Sequence, residues 1–431
     1  MTATFEDSDH VPLIETREAE RVVNESGLSK DEITRMLSQE AYSFPVKGVP
    51  SVSKYYGSQL ASNGPCEDRF VHGKLPSPRN DGKPWMAWAV FDGHAGWQTA
   101  DLLQKQLLPL VQQYLSQVKL TPGTLPTYQE STQRAIAKAF TDSDSSIMDT
   151  AQETSQSQLS LQEKMQRLMP GFAGSCALVS LYDPVTSKLH VACTGDSRAV
   201  LAQKASDGKW EALALSVDQT GSNVEEIARI NQEHPGEENI AKDGRILGLM
   251  CSRAFGDGRW KWPLDLQREF QQKFNGKAPL TPKFNVQTPP YVTAEPVVTT
   301  TTIDPTRPSF LILATDGLWD TLSSQQAVDL VGSWLEIKTN GTKESEPKPK
   351  PNYGPLDFSQ LDKGVNSRFE EERATNQDDN VAVHLMRNSL GGNHDELIAG
   401  RLVAGPPFSR DLRDDITVQV AFFNCPGLAN V

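Results

Sequence analysis

The sequence predicts an α+β fold in which antiparallel strands and helices occupy different parts of the chain. From residue 174 onward, short β segments follow one another, and the turn signals Asp183-Pro184 and Ser206-Asp207-Gly208 separate them. This order indicates an antiparallel meander and not a βαβ series. Two further stretches, 85–97 and 310–323, each contain an apolar strand pattern that leads through an Asp-Gly pair into a helix.

Length and charge limit what the chain can be. Its 431 residues suffice for two or three average domains, or for one large layered domain with insertions. The formal net charge of −13 and the pI near 5.1 argue against nucleic acid or an anionic membrane surface as the main partner. No apolar run approaches the roughly 18–20 residues that a membrane span needs. We expect a soluble chain whose acidic side chains are available to hold cations.

The cysteines and the motifs that are missing exclude other classes. The chain has five scattered cysteines, too few for a disulfide framework, and no CxxC pair that would suggest zinc. We therefore expect buried thiols in a reducing compartment. The sequence contains neither a GxxxxGK[ST] loop nor a kinase-type glycine loop with its lysine, so nothing indicates a kinase.

The chain divides into an N-terminal arm with a short helix, residues 1–45, and a single domain, residues 46–431. Ser29 followed by Glu32 is a capping-box pattern and predicts a helix that continues through Leu37. The stretch 260–290 is basic, contains prolines and shows too little apolar periodicity for a core element, while 339–364 has the composition of a mobile surface loop. We expect insertions around residues 219–247, 258–292 and 339–378.

Four acidic clusters lie at the edges of predicted strands: Glu67-Asp68, Asp92, Asp316 and Asp414-Asp415. Taken singly, each is typical of a turn or of a solvated carboxylate. Gathered at one end of a sheet, they would repel one another and be costly to desolvate unless a cation neutralised them. Hard oxygen donors suit Mg²⁺ or Mn²⁺, and the lack of a His or Cys cluster disfavours zinc.

This donor set points to phosphoester hydrolysis. Two ions about 3.5–4 Å apart can activate a bridging water and stabilise the oxygens of an in-line displacement at phosphorus. His94 follows Asp92 by two positions and can donate a proton to the leaving oxygen. The alternative for His94 is a histidine at a helix N-terminus that is hydrogen-bonded to backbone.

Seven short motifs then define a resemblance. The chain resembles the metal-dependent serine/threonine protein phosphatases, the type 2C or PPM family, over residues 51–423, and within it the pyruvate dehydrogenase phosphatase branch. NGPCEDR, WKWPLDLQ and TPPYVTAEP, together with RDDITV, carry the similarity to that branch. The family resemblance implies a four-layer αββα sandwich of two antiparallel sheets flanked by helices, with a dinuclear metal site at one end. The motifs, in chain order, are CEDRF, VFDGHAG, GSCA, TGDSR, SRAFGD, ATDGLWD and RDDITV.

The resemblance implies a role for each matching acid. Asp92 is expected to bridge two Mg²⁺ or Mn²⁺ ions. Glu67 and the Gly93 carbonyl are expected to bind one of these ions, and Asp316 and Asp414 the other.

Further roles come from the same resemblance. Asp68 is expected to hold metal-bound water from outside the ligand set. Asp196 is expected to join Asp316 at a weaker third metal site, for which Asp257 is a lesser candidate. His94 matches the general acid of the family.

Two departures and one ambiguity accompany the motifs. Asn63 stands where many members carry a phosphate-binding arginine, so we expect phosphate binding to depend more on metals and water, or on a basic group that the sequence does not locate. Asp415 stands where asparagine is common, which adds charge and removes donors. The pair Asp379-Asn380 mimics the last motif, but a helical pattern follows it, whereas a strand pattern follows Asp415. We therefore predict Asp414 as the ligand.

The implied function is hydrolysis of phosphoserine or phosphothreonine, on pyruvate dehydrogenase or a related mitochondrial phosphoprotein. The alternatives are an inactive phosphatase-like interaction module, a type 2C phosphatase with other substrates and a small-molecule phosphomonoesterase. The acidic N-terminus MTATFEDSDH resembles neither a signal peptide nor a transit peptide. Mitochondrial location therefore rests on the family branch, with the cytoplasm as the alternative, and a regulatory subunit is left open.

Overall fold

The computed structural model describes residues 27–118, 125–340, 368–425 and 427–428. Residues 1–26 of the expected N-terminal arm and residues 341–364 of the expected loop lie outside the described residues. The strands are β1 (Tyr42–Pro45), β2 (Val52–Leu60), β3 (Arg69–Leu75), β4 (Trp85–Phe91), β5 (Gly93–His94), β6 (Gly174–Ser175), β7 (Ala177–Asp183), β8 (Lys188–Thr194), β9 (Arg198–Lys204), β10 (Trp210–Ala214), β11 (Ala241–Lys242), β12 (Arg245–Ile246), β13 (Phe255–Gly256), β14 (Val297–Thr302), β15 (Ser309–Ala314) and β16 (Ile416–Phe423). The α-helices are α1 (Lys30–Leu37), α2 (Gln98–Ser116), α3 (Leu125–Gln156), α4 (Leu161–Phe172), α5 (Val224–Glu233), α6 (Gly258–Lys261), α7 (Leu264–Phe274), α8 (Asp316–Trp319), α9 (Ser324–Asn340), α10 (Val381–Leu390) and α11 (Asp395–Val403).

Two large antiparallel sheets dominate the described chain. The first has six strands in the order β1-β2-β16-β15-β9-β10, and the second has five in the order β14-β8-β7-β4-β3. Neighbouring strands in both sheets run antiparallel. The predicted antiparallel pairing is confirmed, but the single meander was wrong, because β7 and β8 form a hairpin in one sheet and β9 and β10 form a hairpin in the other.

The two sheets pack face to face, as the alternating directions of the side chains along their strands show. On β15, Leu311 and Leu313 enter a buried cluster that also contains Trp88 of β4. Phe310 and Ile312, which point to the other face, pack in a cluster with residues of α1, α9, α10 and α11. The alternate residues of β4 pack with α2 and α3. Because successive side chains of a strand point to opposite faces, each sheet has one face on its partner sheet and one on helices. The four-layer αββα sandwich is therefore confirmed.

Local capping patterns explain where two helices begin. At α1, the Ser29 backbone N–H donates to Glu32 Oε2 at 2.8 Å and the Glu32 N–H donates to Ser29 Oγ at 3.3 Å, which completes the predicted capping box. The helix ends at Leu37 as predicted. The same arrangement of Ser160 and Glu163 begins α4, a helix that the sequence analysis did not predict although the pattern is present.

The stretch around 258–292 differs from expectation. Its sparse apolar residues include large aromatic ones, and these are buried in two clusters together with residues from outside the stretch. Trp260 packs in one cluster, while Trp262, Phe270 and Phe274 pack in the other against α3 and α4. The prediction that this stretch cannot form core was wrong, because four large rings bury enough surface without a long periodic pattern.

The strand register gathers the acidic segments at one end of the sandwich. Leu60 at the end of β2 pairs with Ile416 at the start of β16, and β15 ends beside the same part of β16. In the other sheet, Arg69 at the start of β3 pairs with Phe91 at the end of β4. No helix in the described ranges combines the length and the apolar character needed to cross a bilayer.

Candidate active site

Three aspartates from distant parts of the chain meet at this end of the sandwich. Asp92 follows β4, Asp196 lies between β8 and β9, and Asp316 begins α8 after β15. One carboxylate oxygen from each lies within 4.8 Å of the others. Asp92 Oδ2 and Asp316 Oδ1 are buried and have no hydrogen-bond partner among the described residues. We call these three residues the acidic cluster.

The acidic cluster is electrostatically strained. Burial raises the pKa of Asp92 well above its ordinary value, and the neighbouring Asp316 adds to the effect. Burial and the charge of Asp196 raise the pKa of Asp316 to about 6. Desolvation and like-charge repulsion both disfavour the charged forms, whereas a divalent cation would reverse both effects. Two buried carboxylate oxygens without partners therefore fit a hard cation such as Mg²⁺ or Mn²⁺.

Two glycines let further acidic segments approach the cluster. A methyl group on Gly93 would overlap the carbonyl oxygen of Glu67, and one on Gly317 would overlap the carbonyl oxygen of Asp415. Each Asp-Gly pair thus has the backbone of another acidic motif lying directly against its glycine. Glu67 is brought beside Asp92 in this way, and the segment that carries Asp415 is brought beside Asp316.

We expect the Gly317→Ala substitution to destabilise the protein by about 1–3 kcal/mol, because the added methyl overlaps backbone that cannot move independently. Gly405→Ala is the matched control, since a methyl there meets no atom within 4 Å. Chemical denaturation of both variants measures the difference in the free energy of unfolding. Equal stability of the two variants would contradict the close approach at Gly317.

Asp68 joins the two sheets beneath the cluster. Its Oδ2 accepts hydrogen bonds from Thr315 Oγ1 at 2.9 Å and from Thr417 Oγ1 at 2.7 Å. Its side chain is buried, and burial together with the charge of Asp415 raises the pKa of Asp68 to about 8. Asp68 therefore fixes the start of β3 against the end of β15 and the start of β16. Its role in holding water stays a prediction.

Asp415 organises the loop that carries Glu67. Its Oδ1 accepts from the backbone N–H groups of Ser62 at 2.5 Å and Asn63 at 2.9 Å. Its Oδ2 accepts from Asn63 Nδ2 at 3.0 Å and from the Glu67 backbone N–H at 2.8 Å. An asparagine at position 415 could not accept all four bonds, because its amide nitrogen is a donor. The side-chain amide of Asn63, a predicted part of the phosphate environment, is thus engaged by Asp415.

The other predicted ligands lie at the margin of the cluster. Asp414 contacts the guanidinium of Arg410, and neither Asp414 nor Glu67 belongs to the three-acid group. Their roles as ligands therefore stay predictions. Asp379 belongs to the pair Asp379-Asn380, which mimics the last family motif. Its side chain is almost fully exposed and pairs with Lys338 at 2.6 Å, while Asn380 caps α10. The helical pattern expected after this pair is confirmed.

His94 is paired with a buried acid. Its Nε2 lies 2.7 Å from Asp257 Oδ2, and Asp257 is 1% exposed. Burial alone would lower the pKa of His94, but the Asp257 carboxylate outweighs that effect and the pKa is raised. The ring therefore contacts a carboxylate, and helix α2 begins only at Gln98. Asp257 meets His94 and not the acidic cluster, so its candidacy for a third metal stays a prediction.

The pair formed by His94 and Asp257 has no signal in the sequence. The two residues lie 163 positions apart in the chain. Gly174 makes room for the pair, since a methyl there would overlap His94 Nε2 and approach Asp257 Oδ2 to 2.5 Å. Both motifs had been recognised, but only the fold brings their side chains together.

The fold and the site together define a class of protein. An antiparallel αββα sandwich with clustered carboxylates at one end, and a histidine beside them, is the arrangement that the resemblance to serine/threonine phosphatases implied.

Comparison with known proteins agrees with that class. The family model of protein phosphatase 2C matches residues 61–348. A protein phosphatase 2C homologue of Schizosaccharomyces pombe is 39% identical over 91% of this chain and 85% of that protein. The mitochondrial pyruvate dehydrogenase (acetyl-transferring) phosphatase 1 of Saccharomyces cerevisiae is 33% identical over 97% of this chain and 77% of that protein. The protein of that name from Homo sapiens is 32% identical over 92% of this chain and 83% of that protein. This chain belongs to the protein phosphatase 2C family and is a protein phosphatase.

Proposed function

We propose that this protein is a Mg²⁺- or Mn²⁺-dependent phosphatase that hydrolyses phosphoserine and phosphothreonine in a mitochondrial phosphoprotein, and that pyruvate dehydrogenase is the first substrate to test. The observation that carries the cation dependence is the acidic cluster, with buried oxygens of Asp92 and Asp316 that lack partners among the described residues. The substrate is suggested by the names of the relatives from S. cerevisiae and H. sapiens.

In this proposal the predicted acidic ligands would hold two cations and, with lower affinity, a third. Asp92 would hold both ions, Glu67 and the Gly93 carbonyl would hold one of them, and Asp316 and Asp414 would hold the other. Asp196 together with Asp316 would hold the third. When bound, the paired cations supply an acidified water as nucleophile and neutralise charge on the phosphoryl oxygens.

The remaining residues position water and move a proton. Asp68, fixed by the hydroxyls of Thr315 and Thr417, accepts a hydrogen bond from water at the site. His94 donates its proton to the oxygen of the leaving serine or threonine, so that a neutral alcohol departs. Asp257 holds the ring and favours its protonated form.

Phosphate binding has to proceed without an arginine at position 63. Since Asp415 engages the Asn63 amide, we assign phosphate contact to the cations and to Arg410. Arg410 contacts Asp414, and its charge also acts on Glu67 and Asp316. The guanidinium of Arg410 would be free for substrate if Asp414 served as a metal ligand, and its planar donors match two phosphate oxygens.

A substrate panel tests the proposal. The purified protein is assayed on phosphorylated pyruvate dehydrogenase complex, on an unrelated phosphoprotein and on p-nitrophenyl phosphate, with Mg²⁺, Mn²⁺, Ca²⁺ or EDTA. We expect Mg²⁺ or Mn²⁺ to support turnover of the complex and EDTA to abolish it. Preference for the unrelated phosphoprotein would indicate a type 2C phosphatase with other substrates, and preference for the small ester a phosphomonoesterase. Absence of all turnover at high Mn²⁺ would favour an inactive interaction module.

Mitochondrial location belongs to the same proposal. Fractionation of cells that express the full-length protein from its own gene measures it directly. Recovery in the mitochondrial matrix is expected, and recovery in the cytoplasm alone would exclude pyruvate dehydrogenase as the substrate.

A further inference from the structure

Two cysteines lie directly behind the acidic cluster and share one of its aspartates. The Sγ atoms of Cys176 and Cys251 are 3.5 Å apart. Cys176 Sγ lies 3.3 Å from Asp196 Oδ1, and Cys251 Sγ lies 3.3 Å from Asp196 Oδ2. All three side chains are buried, at 1%, 5% and 7% exposure. The cysteines are 75 positions apart, so their spacing in the sequence could not indicate a pair.

The surrounding backbone holds this arrangement in place. The Cys176 backbone N–H donates to the Asp92 carbonyl at 2.8 Å, which ties the thiol pair to the acidic cluster. Gly195 has a φ of +106°, and a methyl group there would overlap the Cys176 sulfur. The glycine therefore provides both the turn before Asp196 and the space that the sulfur occupies.

The two sulfurs and the Asp196 carboxylate lie close enough together to hold one metal ion. With Zn–S bonds of about 2.3 Å and Zn–O bonds of about 2.0–2.2 Å, two sulfurs lie about 3.8 Å apart and a sulfur and an oxygen about 3.6 Å apart. The observed sulfur–sulfur separation of 3.5 Å is within a few tenths of an ångström of the first value. Each sulfur lies 3.3 Å from a different oxygen of Asp196, and one ligand atom from each of the three residues lies within 4.8 Å of the others. Thiolates prefer thiophilic ions over Mg²⁺ or Mn²⁺. We propose that Cys176, Cys251 and Asp196 form a binding site for a thiophilic divalent cation such as Zn²⁺ or Cd²⁺.

The shared aspartate links this site to catalysis. One Asp196 oxygen also lies within the acidic cluster, so a cation held by the two thiolates competes for Asp196 with a cation held by Asp92 and Asp316. This consequence for activity depends on the proposed function, whereas binding to the thiolates does not. We expect a thiophilic cation to act as an inhibitor that excess Mg²⁺ does not fully displace.

Cd²⁺ absorption tests the site independently of activity. The protein is kept reduced with a phosphine, excess Mg²⁺ is present to occupy carboxylates, and Cd²⁺ is added while the ultraviolet thiolate-to-Cd²⁺ charge-transfer band is recorded. We expect the band to saturate at one Cd²⁺ per chain. A carboxylate site gives no such band, so its appearance identifies sulfur ligands even if the protein has no phosphatase activity.

Variants identify which sulfurs are involved. The Cys251→Ala and Cys176→Ser variants are expected to lose the band, while Cys193→Ala, which removes a buried thiol outside the site, retains it. Asp196→Asn keeps both thiols and is expected to weaken Cd²⁺ binding by at least the roughly 10–100-fold that loss of an outer metal partner causes. Thermal unfolding confirms that each variant is folded. An undiminished band in folded Cys251→Ala or Cys176→Ser, or no band in the unmodified protein, would overturn the proposal.

Discussion

Replacing Asp92 with asparagine is expected to abolish hydrolysis of a phosphoserine or phosphothreonine peptide. Asp92 is the proposed bridge between two cations, and its carboxylate lies with Asp196 and Asp316 in the acidic cluster. The neutral amide removes the charge that attracts both ions, so we expect a loss of about a thousandfold or more, the order of a lost preorganised electrostatic group. Initial rates at saturating Mn²⁺ measure the effect.

The same variant should be more stable than the unmodified protein when cations are absent. Burial and the charge of Asp316 raise the pKa of Asp92, so removal of its charge relieves a repulsion in the folded state. We expect the Tm in EDTA to rise by about 1 °C, on the order of 1 kcal/mol of stabilisation for a chain of this length. Added Mn²⁺ should raise the Tm of the unmodified protein more than that of the variant. Asp379→Asn, at an exposed aspartate, is the matched control and should leave both activity and stability unchanged.

Replacing His94 with glutamine is expected to slow phosphoserine hydrolysis by about 10²–10⁴-fold, the usual contribution of a positioned general acid. The serine alkoxide is a poor leaving group and needs the proton, whereas p-nitrophenolate leaves without one. The variant should therefore lose far less activity on p-nitrophenyl phosphate. The ratio of the two rates measures this effect, and an equal loss on both substrates would contradict a proton-donating role.

Asp257→Asn should produce a smaller effect of the same kind. Asparagine tolerates the left-handed backbone of this position, where φ is +49°, so the fold is expected to persist. Because the Asp257 carboxylate raises the pKa of His94, its removal lowers that pKa, and the decline of activity at alkaline pH should begin at a lower pH. An unchanged pH profile together with an unchanged rate ratio would show that Asp257 does not act through His94.

Features of the site that depend on neighbouring residues were predictable from the sequence. The Asp-Gly pairs at residues 92 and 316 stand at strand ends because each follows an apolar run that must be buried on both faces, and the structure has strands at both runs. The capping box at Ser29 and the helix after Asn380 were predictable for the same reason, since both depend on side chains within one turn.

Features that depend on contacts between distant segments were not predictable. Nothing near Asp257 indicates that it meets His94, and nothing near Cys176 indicates that it meets Cys251. The role of Asp415 was also not predictable, because the sequence shows only that aspartate stands where asparagine is common in the family motif. In the structure its carboxylate accepts four hydrogen bonds from the loop that carries Glu67. Such contacts follow from sheet register and close backbone approach, which become apparent only when the sheets are packed.

Anomalous diffraction from crystals grown with Mn²⁺ tests the central claim most directly. We expect two strong peaks, one between Asp92 and Glu67 and the other between Asp92, Asp316 and Asp414, with Arg410 displaced from Asp414. Crystals of the Asp92→Asn variant grown in the same way should lose both peaks. Mn²⁺ peaks confined to sites away from Asp92, or peaks of undiminished height in the variant, would contradict the account.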